Sequence, residues 1–280
     1  MLDGISGKVA LVTGAARPRS IGRATALRLA REGASVACLD IARPMEGFPD
    51  HAVATADDLD DVVAELTTVG VTAVAVRADV TDEDAVEQAI ADATEALGPI
   101  ELVANVAGGS GAGMGAGPLL AITRAEFDQV LAVNLVGTWL VAKACAARMI
   151  EHGDGGRIVN TSSQAGKVGW PLIGAYSAAK AGVIGITQVM AKEWATFGIT
   201  VNAVCPGTVD TNLVNPDGFF EQVMDATESG GFEAWLQREI PLGRMQQPEE
   251  VASAITFLLS DDAAYITGEA VNVSGGQMMA

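Results

Sequence analysis

Short runs of apolar, often β-branched residues alternate with longer helical patterns along almost the whole chain. The runs predict seven strands, at residues 9–13, 35–39, 71–76, 100–106, 157–160, 199–205 and 270–273. The helical patterns predict six helices, at residues 21–31, 57–68, 83–97, 124–150, 175–197 and 248–259. Because the predicted strands are nearly continuous in apolar residues, both of their faces should be covered. The alternation therefore predicts an α/β fold with a doubly wound parallel sheet of about seven strands and helices on both faces.

No linker divides this pattern. With 280 residues, of which 49% are hydrophobic, the chain suits one large domain over residues 1–280. Residues 208–244 interrupt the alternation and carry aromatic side chains among acidic ones. They predict a mobile lid over the site or, alternatively, a rigid surface subdomain.

The charge balance excludes several kinds of partner. A formal net charge of −18, from 17 basic and 35 acidic residues, argues against nucleic acid and anionic membranes. The N-terminus has no basic region before an apolar run, and no apolar stretch reaches the roughly 18 residues of a membrane span. We therefore expect a cytoplasmic protein.

The cysteines and histidines show no metal-ligand or disulfide spacing. Cys38, Cys145 and Cys205 are far apart and lack a C-x-x-C pattern. We expect them to be buried small residues, and we expect no metal site. His51 and His152 lie in polar surroundings and are expected at the surface.

Tyr176 and Lys180 are four residues apart in a predicted helix, so their side chains share one face. Such a pair alone is usually solvated. Here Ser163 precedes it in an Asn-Thr-Ser-Ser segment, and its hydroxyl could hold a substrate oxygen. Because a cation stabilises a phenolate, Lys180 is expected to lower the pKa of Tyr176. The set indicates acid/base chemistry.

A loop with small residues lies between the first strand and the first helix. Small residues let the backbone approach a pyrophosphate at the positive end of the helix. The loop residues expected to contact such a cofactor are Gly14, Arg17, Ser20, Ile21 and Gly22.

Asp40 ends the second strand, where a carboxylate can accept hydrogen bonds from both ribose hydroxyls of NAD and would repel the 2′-phosphate of NADP. The sequence therefore favours NAD over NADP. Arg17 or Arg19 could reach a 2′-phosphate, but phosphate-facing or solvent-facing roles suit both equally. Asp79 and Val80 follow the third strand and could meet the adenine; Asp79 could instead cap the next helix.

Several motifs in order resemble the short-chain dehydrogenase/reductase family over essentially the whole chain. They are Thr13-Gly14…Ile21-Gly22, Asp40, Asp79-Val80, Asn105-Val106-Ala107-Gly108, Asn134, Ser163, Tyr176…Lys180, Pro206-Gly207…Thr211 and Ser274-Gly275-Gly276. The resemblance implies a Rossmann-type NAD(P)-binding domain that acts on CH–OH groups. It implies that Tyr176 is the general acid/base, that Ser163 orients the substrate oxygen and that Asn134 holds a proton-relay water. Lys180 would lower the pKa of the tyrosine and bind the nicotinamide ribose.

The same resemblance implies further cofactor contacts, at Asn105, Ala107, Gly108, Pro206, Gly207, Val209 and Thr211. Ser163 rather than Ser162 matches the spacing to the tyrosine that is usual in the family. The chain departs from the family pattern at Val106, which replaces an asparagine. It also departs in the glycine loop, which has two extra residues and Ser20 in place of the middle glycine. The serine hydroxyl could itself bond a phosphate.

These residues predict reversible hydride transfer between NAD and a secondary alcohol or its ketone. A reductase of 3-oxoacyl thioesters is an alternative, and so is a non-catalytic dinucleotide-binding protein. Residues 41–59 are similar to an insertion in carveol-type and mycofactocin-associated dehydrogenases, which implies NAD that does not exchange freely and is reoxidised in place. The insertion could equally be a surface loop or a subunit contact.

We expect the substrate pocket to include residues 109–117, Gln164, Trp170 and the aromatic side chains of residues 208–244. The resemblance also implies a homotetramer formed through the helices that start near Arg124 and Ala175 and through the last strand. The small side chains of Ala175, Ala179 and Val183 would suit either that contact or the core of one subunit.

Overall fold

The computed structural model describes residues 2–45, 53–111 and 114–279. In these residues the strands are β1 (Val9–Thr13), β2 (Ser35–Asp40), β3 (Ala73–Arg77), β4 (Ile100–Asn105), β5 (Gly156–Thr161), β6 (Ile199–Pro206) and β7 (Ala270–Val273). They form one sheet in the order β3-β2-β1-β4-β5-β6-β7, and every pair is parallel. The order reverses between β1 and β4, which opens a crevice at their carboxyl ends. The predicted doubly wound parallel sheet is confirmed.

The α-helices of the described residues are α1 (Ile21–Arg31), α2 (Ala56–Val69), α3 (Glu83–Leu97), α4 (Arg124–Leu131), α5 (Gly137–His152), α6 (Gly174–Trp194), α7 (Phe219–Thr227), α8 (Gly231–Glu239) and α9 (Pro248–Leu259). The predicted helix at 124–150 is α4 and α5 joined by a π-helical turn, Ala132–Val136. The sequence did not predict α7 and α8, which occupy much of residues 208–244. The bounds of α1, α3 and α9 match the prediction.

Apolar side chains cover the sheet on both faces. Val12 points to the face where Leu29 of α1 and Ile255 of α9 pack. Its neighbour Leu11 points to the opposite face, which is covered by α3, α5 and α6 and includes Met149. This alternation follows from the two-residue period of a strand. It explains why the strands read as continuous apolar runs.

The small residues of α6 that suited either a subunit contact or the core lie inside the protein. Ala175, Ala179 and Val183 on α6 are fully buried within the chain, so they belong to its own core. The three cysteines are buried free thiols, as predicted. Burial raises the pKa of Cys38 and Cys145 to about 12. His51 lies outside the described residues.

In the described part of the chain, one helical segment, 124–152, is long and apolar enough to cross a membrane by length and composition. Half of its most apolar stretch is buried inside the protein. It packs against β4 and α3, and this core position accounts for its composition.

Candidate active site

Tyr176, Ser163 and Lys180 meet at the carboxyl end of the sheet. Tyr176 lies in the first turn of α6 and Lys180 one turn later, while Ser163 follows β5. Tyr176 and Ser163 are joined by a side-chain hydrogen bond. The Lys180 Nζ lies 5.5 Å from the centre of the Tyr176 ring. The Ser162 hydroxyl is turned away and donates to the Lys180 carbonyl oxygen at 2.8 Å. The hydroxyl available to a substrate is thus that of Ser163.

Burial is the main influence on the pKa values of Tyr176 and Lys180. It raises the pKa of Tyr176 to about 12, against the hydrogen bond from Ser163. It also lowers the pKa of Lys180 to about 8. The Lys180 Nζ donates to the carbonyl oxygen of Thr161 at 2.8 Å. The pKa of Tyr176 is therefore raised in this structure and not lowered as expected, because desolvation disfavours the phenolate more than the hydrogen bond from Ser163 stabilises it.

Asn134 lies in the π-helical turn and is fully buried. Its Oδ1 accepts from the Gly109 N–H at 2.9 Å, and its Nδ2 donates to the carbonyl oxygens of Gly109 at 2.8 Å and Val130 at 3.0 Å. A Cβ on Gly108 would lie 2.5 Å from that Oδ1. Asn134 thus fixes the loop after β4 without lining the pocket itself. π-helical turns frequently occur at functional sites.

The loop between β1 and α1 allows close backbone packing. Gly14 adopts φ +66°, and a Cβ on Gly22 would lie 2.1 Å from the Gly14 carbonyl oxygen. The Ser20 hydroxyl accepts from the Arg23 N–H at 3.1 Å and so caps α1. Because α1 starts at the pocket, its free N–H groups and dipole favour an anion there.

Asp40 is buried at the end of β2. Its Oδ2 accepts from the Ala16 N–H at 3.0 Å and its Oδ1 from the Ala42 N–H at 3.3 Å. Burial raises the pKa of Asp40, and these bonds together with the charge of Arg17 oppose that rise. Arg17 therefore lies beside Asp40, whereas Arg19 bonds to Asp210 at 2.7 Å. The two arginines have different roles.

Asp79 does not cap α3. The side chain that caps α3 is Asp82, whose Oδ1 accepts from the Ala85 N–H at 3.1 Å. Asp79 instead accepts from the N–H of Thr81 at 3.0 Å and from its hydroxyl at 2.7 Å. Asp79 lines the pocket, so the capping alternative is wrong.

One long pocket joins these groups. Predicted site residues that line it are Gly14, Arg17, Ser20, Ile21, Gly22, Asp40, Asp79, Val80, Ala107, Gly108, Ser163, Tyr176, Lys180, Pro206, Gly207, Val209 and Thr211. Asn105 does not line it: its Nδ2 donates to the Thr138 carbonyl oxygen at 3.2 Å and to Asn160 Oδ1 at 3.0 Å, beneath the pocket floor. The prediction of direct cofactor contact by Asn105 is therefore not supported, and its side chain instead joins β4 to β5 and α5.

The expected substrate residues are only partly in the pocket. Gly109 and Met114 line it, whereas Gln164 and Trp170 do not; residues 112–113 lie outside the described part of the chain. The aromatic side chains of residues 208–244 mainly pack on one another, with ring centroids of Phe220 and Trp235 5.1 Å apart. Leu213 and Val214, from the same segment, line the pocket instead.

Other lining residues were missed. Ile41, Met45 and Val53 line the pocket from the segment after β2, and they belong to one apolar cluster with Met114. Their apolar character next to Asp40 was the available signal. Thr13 was named only as part of a motif, yet its hydroxyl oxygen accepts from the N–H groups of both Val106 and Ala107 at 3.0 Å.

These features fit a dinucleotide. The close approach of Gly22 to Gly14 makes a cradle that any side chain would fill. Asp40 offers carboxylate oxygens at the end of β2, and the start of α1 suits a pyrophosphate.

A family model described as "Enoyl-(Acyl carrier protein) reductase" matches residues 14–278. A short-chain dehydrogenase/reductase of Armillaria gallica is 40% identical over 271 residues, which are 96% of this chain and 95% of that protein. A 3-oxoacyl-[acyl-carrier-protein] reductase of Synechocystis is 40% identical over 279 residues, 99% of this chain and 100% of that one.

Among solved structures, this chain is similar to a carveol dehydrogenase from Mycobacterium avium in complex with NAD. The TM-score is 0.89 at 31% identity, and the match covers 97% of this chain and 98% of that one. A likeness of this extent includes the sheet, the crevice and the elements that carry the pocket residues.

Proposed function

The chain belongs to the short-chain dehydrogenase/reductase family of oxidoreductases, and we propose that it transfers a hydride between NAD and a secondary alcohol or the corresponding ketone. The observation that carries the proposal is the hydrogen-bonded pair Ser163 and Tyr176, with Lys180 beside it, in the pocket that Asp40 also lines. Acid/base groups and a dinucleotide cradle in one pocket are what this reaction needs.

NAD is the proposed cofactor. The cradle at Gly14 and Gly22 and the start of α1 would hold its pyrophosphate, and Asp40 would accept hydrogen bonds from its ribose. A 2′-phosphate next to the buried carboxylate would be repelled, which supports NAD over NADP. The NAD complex of the carveol dehydrogenase supports the same choice. When bound, NAD would accept or return the hydride.

The side chains handle the proton. In the ketone direction Tyr176 donates, and its high pKa keeps the phenol protonated for that task at neutral pH. In the alcohol direction the phenolate accepts the hydroxyl proton, and the positive charge of Lys180 helps to stabilise it. The Ser163 hydroxyl orients the substrate oxygen, and Asn134 keeps the loop at Gly108 and Gly109 in place.

The lining favours an uncharged, largely apolar substrate. Met114, Leu213 and Val214 line the described pocket together with the reactive hydroxyls of Ser163 and Tyr176. Apart from Lys180, whose ammonium donates to the Thr161 carbonyl oxygen, the other ionisable residues that line the described pocket are Arg17 after β1, Asp40 at the end of β2 and Asp79 after β3, and these three belong to the proposed adenosine half. An alicyclic secondary alcohol fits this lining better than a phosphorylated or sulfonated one, because a buried anion needs a cationic partner.

The test is Tyr176→Phe, assayed by nicotinamide absorbance against a panel of alicyclic alcohols, ketones, polyols and a 3-oxoacyl thioester. The variant should lose at least about 99% of turnover, since general acid/base groups contribute 10²–10⁴-fold, and should still bind NADH. The matched control is Tyr265→Phe, because Tyr265 is fully exposed. Near-normal turnover of Tyr176→Phe would refute the assignment. Preferred turnover of the thioester would favour the 3-oxoacyl reductase alternative.

A second candidate is a dehydrogenase that retains its NAD and reoxidises it in place. The observation in its favour is the apolar cluster in which Met45 and Val53 meet Met114 across the pocket. A cover of this kind over the pocket would slow exchange of the cofactor. Native mass spectrometry after extensive buffer exchange should then find NAD on most subunits. Empty sites would favour an ordinary dehydrogenase with exchangeable cofactor.

We also propose that the enzyme is a cytoplasmic homotetramer. Trp139 on α5 is 43% exposed and Val189 on α6 is 52% exposed, although both are large apolar residues. Contact between copies of the long helices would remove them from water. The same mass spectrum reports the number of subunits; a monomer would refute the assembly without affecting the proposed chemistry.

A further inference from the structure

Arg19 belongs to the loop that precedes α1, but its side chain reaches the first residues of the segment 208–244. Its Nη2 donates to Asp210 Oδ1 at 2.7 Å and to the Asn215 carbonyl oxygen at 3.2 Å. The Asn212 N–H donates to the Arg19 carbonyl oxygen at 3.2 Å. Both the backbone and the side chain of Arg19 are therefore bonded to this segment. We call Arg19, Asp210 and Asn215 the clasp.

Through Asn215, the clasp is attached to α7 and α8. Asn215 is 3% exposed; its Nδ2 donates to Asp210 Oδ1 at 3.0 Å, and its Oδ1 accepts from the Phe220 N–H at 3.0 Å. Phe220 packs edge-on against Phe232 and Trp235. Because these rings hold α7 and α8 together, a change at Asn215 is transmitted to the whole pair of helices.

Through Arg19, the clasp is attached to the lining of the pocket. Arg19 has φ +48°, a conformation that side-chain-bearing residues adopt only when their surroundings hold them there. Its neighbours Arg17 and Ser20 line the pocket, and so do Val209 and Thr211 of the segment that Arg19 contacts. The clasp therefore joins two parts of the lining of the pocket in which the dinucleotide is proposed to lie.

We propose that Arg19 is a positioning residue that ties the cofactor loop to α7 and α8 and thereby slows release of the dinucleotide. The inference rests on the proposed dinucleotide site, and it is independent of the substrate. Arg19 does not itself line the pocket, so it acts through the position of the segment. Arg17, the other arginine of this loop, lies beside Asp40.

The ion pair between Arg19 and Asp210 is partly exposed to solvent, which limits the size of the expected effect. The side chains of Arg19 and Asp210 are 48% and 27% exposed, so salt should screen their attraction. Arg19→Gln loses the charge-assisted bonds to Asp210 and to the Asn215 carbonyl oxygen. We expect NADH release to become about tenfold faster at low salt, with a smaller difference at high salt.

The experiment is stopped-flow displacement of NADH by excess NAD, followed by NADH fluorescence. Arg19→Gln and Asp210→Asn should both release NADH faster, and Arg19→Lys should lie between Arg19→Gln and the wild type. The rate of a single turnover with bound NADH should be unchanged, because no reacting group is touched. Arg124→Gln is the matched control, since it removes an exposed pair with Asp128, and neither residue lines the pocket.

Hydrogen exchange of residues 210–228 in the dinucleotide-free protein gives an independent measurement. Arg19→Gln should raise exchange there and leave α1 and α9 unchanged. Unchanged release and unchanged exchange in both clasp variants, with circular dichroism and Tm near the wild type, would overturn the inference. If the wild type binds no NADH, the proposed function fails, while the exchange measurement still decides whether the clasp holds the segment.

Discussion

Lys180 should make the protein less stable at neutral pH than at alkaline pH. It is 2% exposed, and burial lowers its pKa from 10.5 to about 8. Below pH 8 both the folded and the unfolded chain carry the proton, so the folded state bears the full cost of the buried ammonium. Between the two pKa values the folded state has released the proton and the unfolded state has not. Stability contributed by this group therefore rises with pH across that window.

The expected change in the free energy of unfolding follows from the difference between the folded and unfolded pKa of Lys180. Each unit between folded and unfolded pKa corresponds to about 1.4 kcal/mol, so the buried ammonium costs on the order of 3 kcal/mol at neutral pH. Lys180→Met removes this cost and keeps the length of the side chain. It also leaves the Thr161 carbonyl oxygen without its partner, which costs about 1–3 kcal/mol at any pH. The variant should consequently be as stable as the wild type or more stable at pH 7, although it should be inactive.

The measurement is the free energy of unfolding in urea at about pH 7 and about pH 9.5, where the wild type should gain about 2 kcal/mol relative to Lys180→Met. Tyr176, Cys38 and Cys145, whose pKa values burial raises, weaken stability at high pH in both proteins, so the comparison cancels their contributions. Lys192→Met, at an exposed position of the same helix, is the control and should track the wild type. A difference between Lys180→Met and the wild type that does not change with pH would refute the reasoning.

Two further substitutions test the framework of the pocket. Thr13→Val leaves the N–H groups of Val106 and Ala107 without their acceptor and should lower the free energy of unfolding by about 2–4 kcal/mol. Thr13→Ser keeps the hydroxyl and should lower it by only about 1 kcal/mol. Equal losses in urea titrations of the two variants would contradict this role of the hydroxyl. Gly22→Ala brings a Cβ within 2.1 Å of the Gly14 carbonyl oxygen, so it should lower Tm and weaken NADH binding at least about tenfold. The control is Gly169→Ala, which has open space around the added carbon and should change the free energy of unfolding by less than about 0.5 kcal/mol. Normal NADH affinity in Gly22→Ala would show that the close packing of Gly22 on Gly14 is not needed for dinucleotide binding.

The sequence predicted what depends on local pattern. Tyr176 and Lys180 could be paired because helical spacing brings them together. The helix from Pro248 to Leu259 has the predicted bounds, since its proline and its capping box with Glu250 mark the start. The same local logic left a cap at Asp79 open as an alternative, because Asp79 and Asp82 both precede the helix and only the backbone geometry chooses between them.

Contacts between distant segments could not be predicted in the same way. Nothing local joins Arg19 to Asp210, 191 residues later, or Met45 to Met114. The π-helical turn at Asn134 was also missed, because its apolar neighbours read as an ordinary helix. The aromatic side chains of residues 208–244 were expected in the pocket, yet three of them, Phe220, Phe232 and Trp235, pack on one another instead. In each case the deciding contact is tertiary.

The polar residues of the site have a common structural reason. At the carboxyl end of the sheet the strands stop and the chain turns away from it, so backbone groups at and just after the strand ends lose their neighbours in the sheet. The Thr13 hydroxyl accepts from two N–H groups after β4, the Asn134 amide pairs with Gly109, and the Lys180 ammonium pairs with the Thr161 carbonyl oxygen. Buried backbone groups need such partners. The cost of burying Lys180 is therefore partly offset by the pairing it provides, which is why its loss should show in the pH dependence of stability more than in stability at pH 7.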